Sequence, residues 1–147
     1  MSKIYNKYLE LKSKKDNKIL YLFKSGIFFI FIDDDAKIIS QHLNLKLGKL
    51  NDKIVKCGFP INSLEKYMNV LKDIPYKIEI VNLSCSKTLS AFDYCYYENI
   101  KNIVNELITV NIDSLSISEA YDFLYKMKNK LVVINRDYIN EKNEQSL

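Results

Sequence analysis

The stretch ILYLFKSGIFFIFI, residues 19–32, decides the fold of this chain. Two apolar and aromatic runs, Ile19 to Lys24 and Ile27 to Ile32, flank the turn signal Ser25-Gly26. Such a pattern is typical of a β-hairpin. The second run is apolar at every position, so it predicts a central strand that is buried on both faces of a sheet.

Outward from the hairpin, the apolar residues keep to helical or strand periods. The order of these periods predicts an α/β domain over residues 1–83, with a mixed sheet of about five strands and three flanking helices. The predicted helices cover residues 3–14, 36–43 and 63–73, and the further predicted strands cover residues 46–50, 53–57 and 77–83.

Local signals set the expected ends of these elements. Asp33-Asp34-Asp35 should favour the start of the second helix, because carboxylates are stabilised at a helix N-terminus. Asn62, followed by Glu65, resembles a capping box for the third helix. Gly58-Phe59-Pro60 is expected to interrupt strand structure.

A helical part is expected after the α/β domain. Its apolar spacing predicts helices at about residues 94–107 and 116–131, and Ser116 with Glu119 resembles a second capping box. The expected boundaries are 84–92 for a small and polar linker, 93–139 for a C-terminal helical extension, and 140–147 for a polar, frayed tail.

The charge is unevenly distributed along the chain. Residues 1–60 hold 12 Lys against 6 acidic residues, whereas residues 61–147 hold 10 Lys and Arg against 12 acidic residues. The basic half can face a phosphate backbone. The alternative is that Lys is simply the usual solvated residue of this chain. Arg136 is the single arginine, which argues against reading of base edges by bidentate arginine.

The residues do not support an enzyme. Three glycines, at positions 26, 48 and 58, cannot form the phosphate-binding loop of an ATPase, so no nucleotide is expected. The triple aspartate is interpreted as a helix start rather than as the Mg²⁺ site of a nuclease. Cys57, Cys85 and Cys95 are interpreted as reduced, buried residues. We therefore expect no catalytic residue, no metal and no cofactor.

The sequence also predicts the compartment. No apolar run approaches the ~20 residues of a membrane span, and the first residues lack the apolar core of a signal peptide. A cytoplasmic protein with no membrane contact is expected.

Two blocks of sequence resemble the N-terminal, mismatch-recognition domain (domain I) of the MutS family. Gly26-Ile27-Phe28-Phe29-Ile30 resembles the family's Gly-x-Phe-Tyr-Glu, and Asp34-Asp35-Ala36 follows as the family's Asp-Asp-Ala helix start does. Gly58 to Tyr67 resembles Gly-x-Pro-x-His-Ser-x-Glu-x-Tyr. The match covers about residues 5–83 and implies the domain I fold, here in a chain expected to stand without the family's ATPase.

The resemblance also implies what is missing. In the family, the motif phenylalanine stacks on a mismatched base and the glutamate two residues later hydrogen-bonds to it. Phe28 matches the phenylalanine, but Ile30 stands at the glutamate position and can neither donate nor accept a hydrogen bond from its side chain. Recognition of mismatches by the family's chemistry is therefore not expected.

Phe28 has two interpretations at this point. It is either a retained DNA wedge, or part of the core, which its position in a run of six apolar residues favours. An apolar patch of Phe28, Ile30 and Ile32 that contacts a protein is a further alternative.

Two functional hypotheses follow. In the first, the chain is a non-catalytic accessory protein of DNA processing that binds duplex DNA. In the second, it is a protein-interaction module that docks on a larger DNA-processing protein, such as a repair ATPase or a mobile-element recombinase. The predicted DNA contacts are Phe28, Lys12, Lys14, Lys15, Lys18 and Lys24, and the predicted partner contacts are Tyr121, Phe123 and Tyr125.

Overall fold

The computed structural model describes residues 2–14, 16–85 and 88–145. It divides into two compact units, residues 1–94 and 95–147. The elements in chain order are α1 (Lys3–Lys12), β1 (Ile19–Ser25), β2 (Phe28–Ile32), α2 (Asp33–Leu43), β3 (Gly48–Lys49), β4 (Val55–Pro60), α3 (Leu64–Leu71), β5 (Lys77–Val81), β6 (Thr88–Ser90), α4 (Ala91–Thr109) and α5 (Ile117–Gln145).

The first unit is built on one mixed sheet with the strand order β3-β4-β2-β1-β5-β6. Among the strands that the structure describes, the β1–β5 pair is parallel and the other four pairs are antiparallel. The predicted α/β class, mixed sheet and C-terminal helical extension are confirmed. The sheet has six strands instead of about five, because β6 lies within the stretch that was expected to be a linker.

The predicted hairpin is present, and its second strand is central. Ser25 pairs with Phe28, so the turn consists of Gly26 and Ile27, and Gly26 adopts a positive φ of 60° that glycine accommodates without strain. β2 lies between β1 and β4, and its last four residues, 29–32, are buried. The run is therefore buried on both faces only from Phe29 onward.

Helices cover both faces of this sheet. On one face, Tyr8 and Leu11 of α1 pack with Phe23, Ile30 and Ile32. On the other face, α2 packs on β2 and β4. Ring contacts attach α3 and the start of α4 to the same strands: Phe59–Tyr67, with centroids 4.5 Å apart, and Phe29–Tyr94, at 5.6 Å.

Several predicted boundaries were wrong. α2 begins at Asp33 rather than Ala36, because Asp33 takes a left-handed conformation (φ 54°) that turns the chain directly from β2 into the helix. Asn62 caps no helix: it lies in a 3-10 turn, and α3 has no side-chain cap. Gly58-Phe59-Pro60 continues β4 instead of ending it, because each of the three residues pairs with β2.

The predicted organisation of the C-terminal half also needs correction. The expected linker, 84–92, contains β6 and the first residues of α4, and its residues 86 and 87 lie outside the described part. The expected frayed tail from residue 140 is helical to Gln145. Ser116 does cap α5, since its hydroxyl accepts a hydrogen bond from the Glu119 amide at 3.1 Å. Among the described residues, no helix combines the length and hydropathy of a membrane span.

The second unit is a pair of helices with a thin core. Ile103 of α4 and Met127 of α5 are its buried apolar residues. Tyr96 stacks on Tyr138 at 3.9 Å and donates a hydrogen bond to Asn135 at 2.8 Å. The two helices are also joined by an ion pair of 2.7 Å between Lys130 and Glu106, which lowers the pKa of Glu106.

Candidate nucleic-acid interface

Phe28 is exposed, so the interpretation of Phe28 as a core residue is wrong. Its side chain is 45% exposed, whereas Phe29 is fully buried. The cause is its place at the start of β2: the buried cluster under α1 reaches Ile30 but does not extend to Phe28. Ile30 and Ile32 belong to that cluster, so the apolar patch of three residues is also wrong.

Ile30, at the family's glutamate position, is 8% exposed and lies next to β4 in the sheet. It pairs with Gly58, and a Cβ atom at Gly58 would lie 2.9 Å from the Cγ2 atom of Ile30 and 2.2 Å from the Phe29 carbonyl oxygen. The glycine is therefore required for the close approach of the two strands. Ile30 presents only methyl groups beside Phe28, and no hydrogen-bonding group for a base.

A groove of about 370 Å³ lies beside Phe28 and Ile30. Among the described residues, two lysines and no carboxylate line it. Its lining residues are Ile4, Ser25, Phe28, Ile30, Lys46, Gly48, Leu50, Lys56, Cys57 and Gly58. The thiol of Cys57 is turned to the other face of the sheet, where it donates to the Ala36 carbonyl at 3.4 Å, and burial raises its pKa to about 11. Cys57 is thus a buried thiol, as expected, whereas Cys85 is exposed, contrary to expectation.

The structure does not gather the predicted lysines around Phe28. Lys14 and Lys18 are exposed but lie near the start of β1, about 23 Å along the strand from the hairpin turn. Lys24 is half-buried and pairs with Phe29, so it lies on the opposite face of the sheet from Phe28. Lys15 lies outside the described residues.

Lys12 forms an ion pair with a buried carboxylate. Its ammonium lies 2.6 Å from Asp35 Oδ1 and donates to the Ile19 carbonyl at 2.8 Å. Asp35 is 1% exposed and also accepts hydrogen bonds from the Tyr21 amide at 2.8 Å and the Tyr8 hydroxyl at 3.4 Å. Burial raises the pKa of Asp35, and the hydrogen bond from Lys12 opposes that rise. A DNA contact by Lys12 stays a prediction, but its charge already has a partner.

The triple aspartate does not converge on one site. Asp34 pairs with Lys37 at 2.9 Å on the surface, while Asp35 points into the core. Within residues 2–14, 16–85 and 88–145, no three His, Cys, Asp or Glu side chains lie close enough to hold a metal ion.

Sequence reasoning missed Lys46 and Lys56. Gly48 pairs with Lys56, so β3 and β4 bring the two lysines to one groove, on the same face of the sheet as Phe28. The available signal was their nearly symmetric placement about the predicted turn at Asn51-Asp52.

The three predicted partner contacts do not share one exposed surface of α5. Tyr121 and Tyr125 are each 60% exposed, with ring centroids 6.4 Å apart. Phe123 is half-buried, since its position on the helix places it with Met127 rather than with the two tyrosines. Further exposed apolar residues continue the surface of Tyr121 and Tyr125: Ile117, Leu124, Leu131, Val132 and Ile139.

Comparison with known proteins gives one consistent result. The DNA mismatch repair protein MutS of Thermotoga neapolitana is 28% identical over 137 residues, which are 93% of this chain and 16% of that protein. MutS of Fervidobacterium nodosum is 38% identical over 73 residues, 50% of this chain and 9% of that protein. The chain thus spans only a small part of the length of these relatives. The family model described as MutS domain I matches residues 2–111. That match covers well over half of the 147 residues, and this chain belongs to the MutS domain I family, a domain of DNA mismatch repair.

Proposed function

We propose that the chain is a non-catalytic accessory protein of DNA processing that binds DNA with the surface around Phe28 and does not select mismatches. The observation that carries the proposal is the contrast along β2. Phe28 is 45% exposed, and the four residues that follow are at most 8% exposed. Packing does not require an aromatic ring there, whereas a ring that stacks on a base or enters a base step must be exposed.

The loss of the glutamate supports the second half of the proposal. A base is read through hydrogen bonds to its edge. Ile30 has none to offer and is held in the core by α1 and Gly58. The ring of Phe28 can stack on any base, so binding without selection for mismatches follows. Lys14 and Lys18, which lie about 23 Å along β1 from the hairpin turn, are proposed as phosphate contacts further along the DNA, and their charge makes the binding dependent on salt. Lys24 lies on the opposite face of the sheet from Phe28 and is not part of this surface.

The test is fluorescence anisotropy of matched duplex, mismatched duplex and single-stranded DNA at two salt concentrations. Phe28→Ala should weaken binding about fivefold to 150-fold, since stacking on an aromatic ring is worth about 1–3 kcal/mol per base. Tyr125→Ala is the matched control, because it removes an aromatic ring of similar exposure from α5.

Matched and mismatched duplexes should bind alike and lose affinity together as salt rises. A preference for the mismatched duplex would refute the assignment made for Ile30. Absence of binding at low salt, or equal binding by wild type and Phe28→Ala, would exclude a DNA wedge at Phe28.

A specific observation favours a second candidate, docking on a larger DNA-processing protein. α5 carries an exposed apolar stripe next to the buried Met127, with Ile117 82%, Leu124 59% and Tyr121 60% exposed. Exposed apolar patches of this kind are typical of protein contacts. In its relatives the matching stretch is a small part of a much longer chain.

The double variant Tyr121→Ala, Tyr125→Ala tests this candidate. We expect it to reduce binding to a full-length MutS protein at least tenfold in biolayer interferometry, because exposed tyrosines are frequent anchors of protein interfaces. Phe28→Ala should leave that binding unchanged. Equal affinity of the double variant and the wild type would exclude α5 as the docking surface.

A further inference from the structure

We propose that the groove beside Phe28 binds an unpaired nucleobase of single-stranded DNA, with the neighbouring phosphates held by Lys46 and Lys56. The inference rests on the proposed function and extends it, because it names the form of DNA that the site accepts. In this site Phe28 serves as the wall on which the base stacks.

The groove has room for one base. Phe28 and Ile30 line one part of it and Leu50 another, within a volume of about 370 Å³. Gly58 and Gly48 keep it open, because neither carries a side chain on this face of the sheet. A Cβ atom at Gly48 would meet only the Lys56 carbonyl oxygen, at 4.0 Å.

The charges of the lining favour a nucleic acid over an apolar peptide. Of the described residues that line it, Lys46 and Lys56 are the charged ones, and none is a carboxylate. Within the described residues, neither lysine forms an ion pair. Two cations beside an aromatic ring match a phosphate chain with a stacked base.

Ile30, which stands at the family's glutamate position, also favours a nucleic-acid ligand. A carboxylate at position 30 would repel the phosphates, whereas the methyl groups of Ile30 present an apolar surface to the base. Ser25 is the remaining uncharged side chain with hydrogen-bonding capacity in the lining. Its hydroxyl both donates and accepts, so it can pair with the edge of any base. We therefore expect little preference among the four bases.

The test uses the full chain and a single-stranded oligonucleotide that contains 2-aminopurine, whose fluorescence falls when the base stacks. Wild type should quench the probe and bind it in a manner that depends on salt. Gly48→Leu should fill the groove and weaken binding of the single strand at least tenfold. Gly48→Ala should behave as wild type, because its Cβ atom has room.

Lys46→Gln and Lys56→Gln give a second test that does not depend on filling the groove. Each should weaken single-strand binding and lower the salt slope by about one unit, as expected for the loss of one phosphate contact. These surface changes keep the test decisive if Gly48→Leu does not fold, which circular dichroism would reveal.

The outcomes separate the two proposals. Duplex binding that depends on Phe28, without quenching of the single-stranded probe, would overturn the groove site and leave the proposed function standing. No binding to either DNA would overturn both. Competition for the groove by an apolar peptide but not by DNA would assign it to a protein partner and overturn the inference.

Discussion

Replacing Lys12 by methionine should lower the free energy of unfolding by about 3–5 kcal/mol at neutral pH, the usual loss when one partner of a buried ion pair is removed. Methionine keeps most of the apolar stem, so the loss reflects the charge. Asp35 is 1% exposed, and its Oδ1 atom would lose the ammonium that now lies 2.6 Å away. The Tyr21 amide and the Tyr8 hydroxyl would remain as its partners.

The loss should depend on pH with a defined sign. Burial raises the pKa of Asp35 above its ordinary value of 3.8, and Lys12 opposes the rise, so Lys12→Met should raise the pKa further. A raised carboxyl pKa contributes stability that is present below the unfolded value and lost as pH rises through the folded value. The difference between variant and wild type should therefore be small below about pH 4 and grow toward neutral pH.

Urea denaturation at several pH values, followed by circular dichroism, measures this effect. Lys14→Met is the matched control, because Lys14 is exposed and should change stability by less than about 0.5 kcal/mol. The double variant Lys12→Met, Asp35→Asn should recover part of the loss, since no charge is then left buried alone. A loss that is independent of pH would contradict the assignment of the effect to the carboxylate.

The hairpin and the covering helices could be predicted because their signals are local. Ile19 to Ile32 is a continuous apolar stretch with one turn signal, and neighbouring residues form both strands. In the second apolar run of this stretch, the prediction of burial was wrong for the first two residues. Ile27 and Phe28 are as apolar as Phe29, yet both are exposed: Ile27 lies in the turn, and the buried cluster under α1 ends at Ile30, before it reaches Phe28. Where a layer ends is a property of the packed unit, not of the strand.

The lysines show more clearly which features of the site the sequence alone does not predict. Lys12 and Lys14 belong to one basic cluster in the sequence, yet only Lys12 faces a buried aspartate, 23 residues further along the chain. Lys46 and Lys56 carry no motif and come together because β3 and β4 pair. Charge counts indicate how basic a segment is, but strand register decides which charges share a site.

Gly58→Ala adds a single methyl group, yet it should lower the free energy of unfolding by about 3 kcal/mol or more. The added Cβ atom would lie 2.2 Å from the Phe29 carbonyl oxygen, and a backbone atom cannot move away as a flexible side chain can. β4 would have to separate from β2 at the point where Ile30 packs on Gly58.

The variant also connects the fold to the proposed site. Separation of β2 and β4 would move Phe28 relative to Lys56, so DNA binding should fall even under conditions where the protein remains folded. Urea denaturation and DNA anisotropy on the same preparation measure both effects. Gly48→Ala is the control: the nearest atom to its Cβ is 4.0 Å away, and neither stability nor binding should change. If Gly58→Ala were as stable as wild type, the two strands would not be held at the distance that makes Ile30 part of the core, and the apolar wall beside Phe28 would have to be reconsidered.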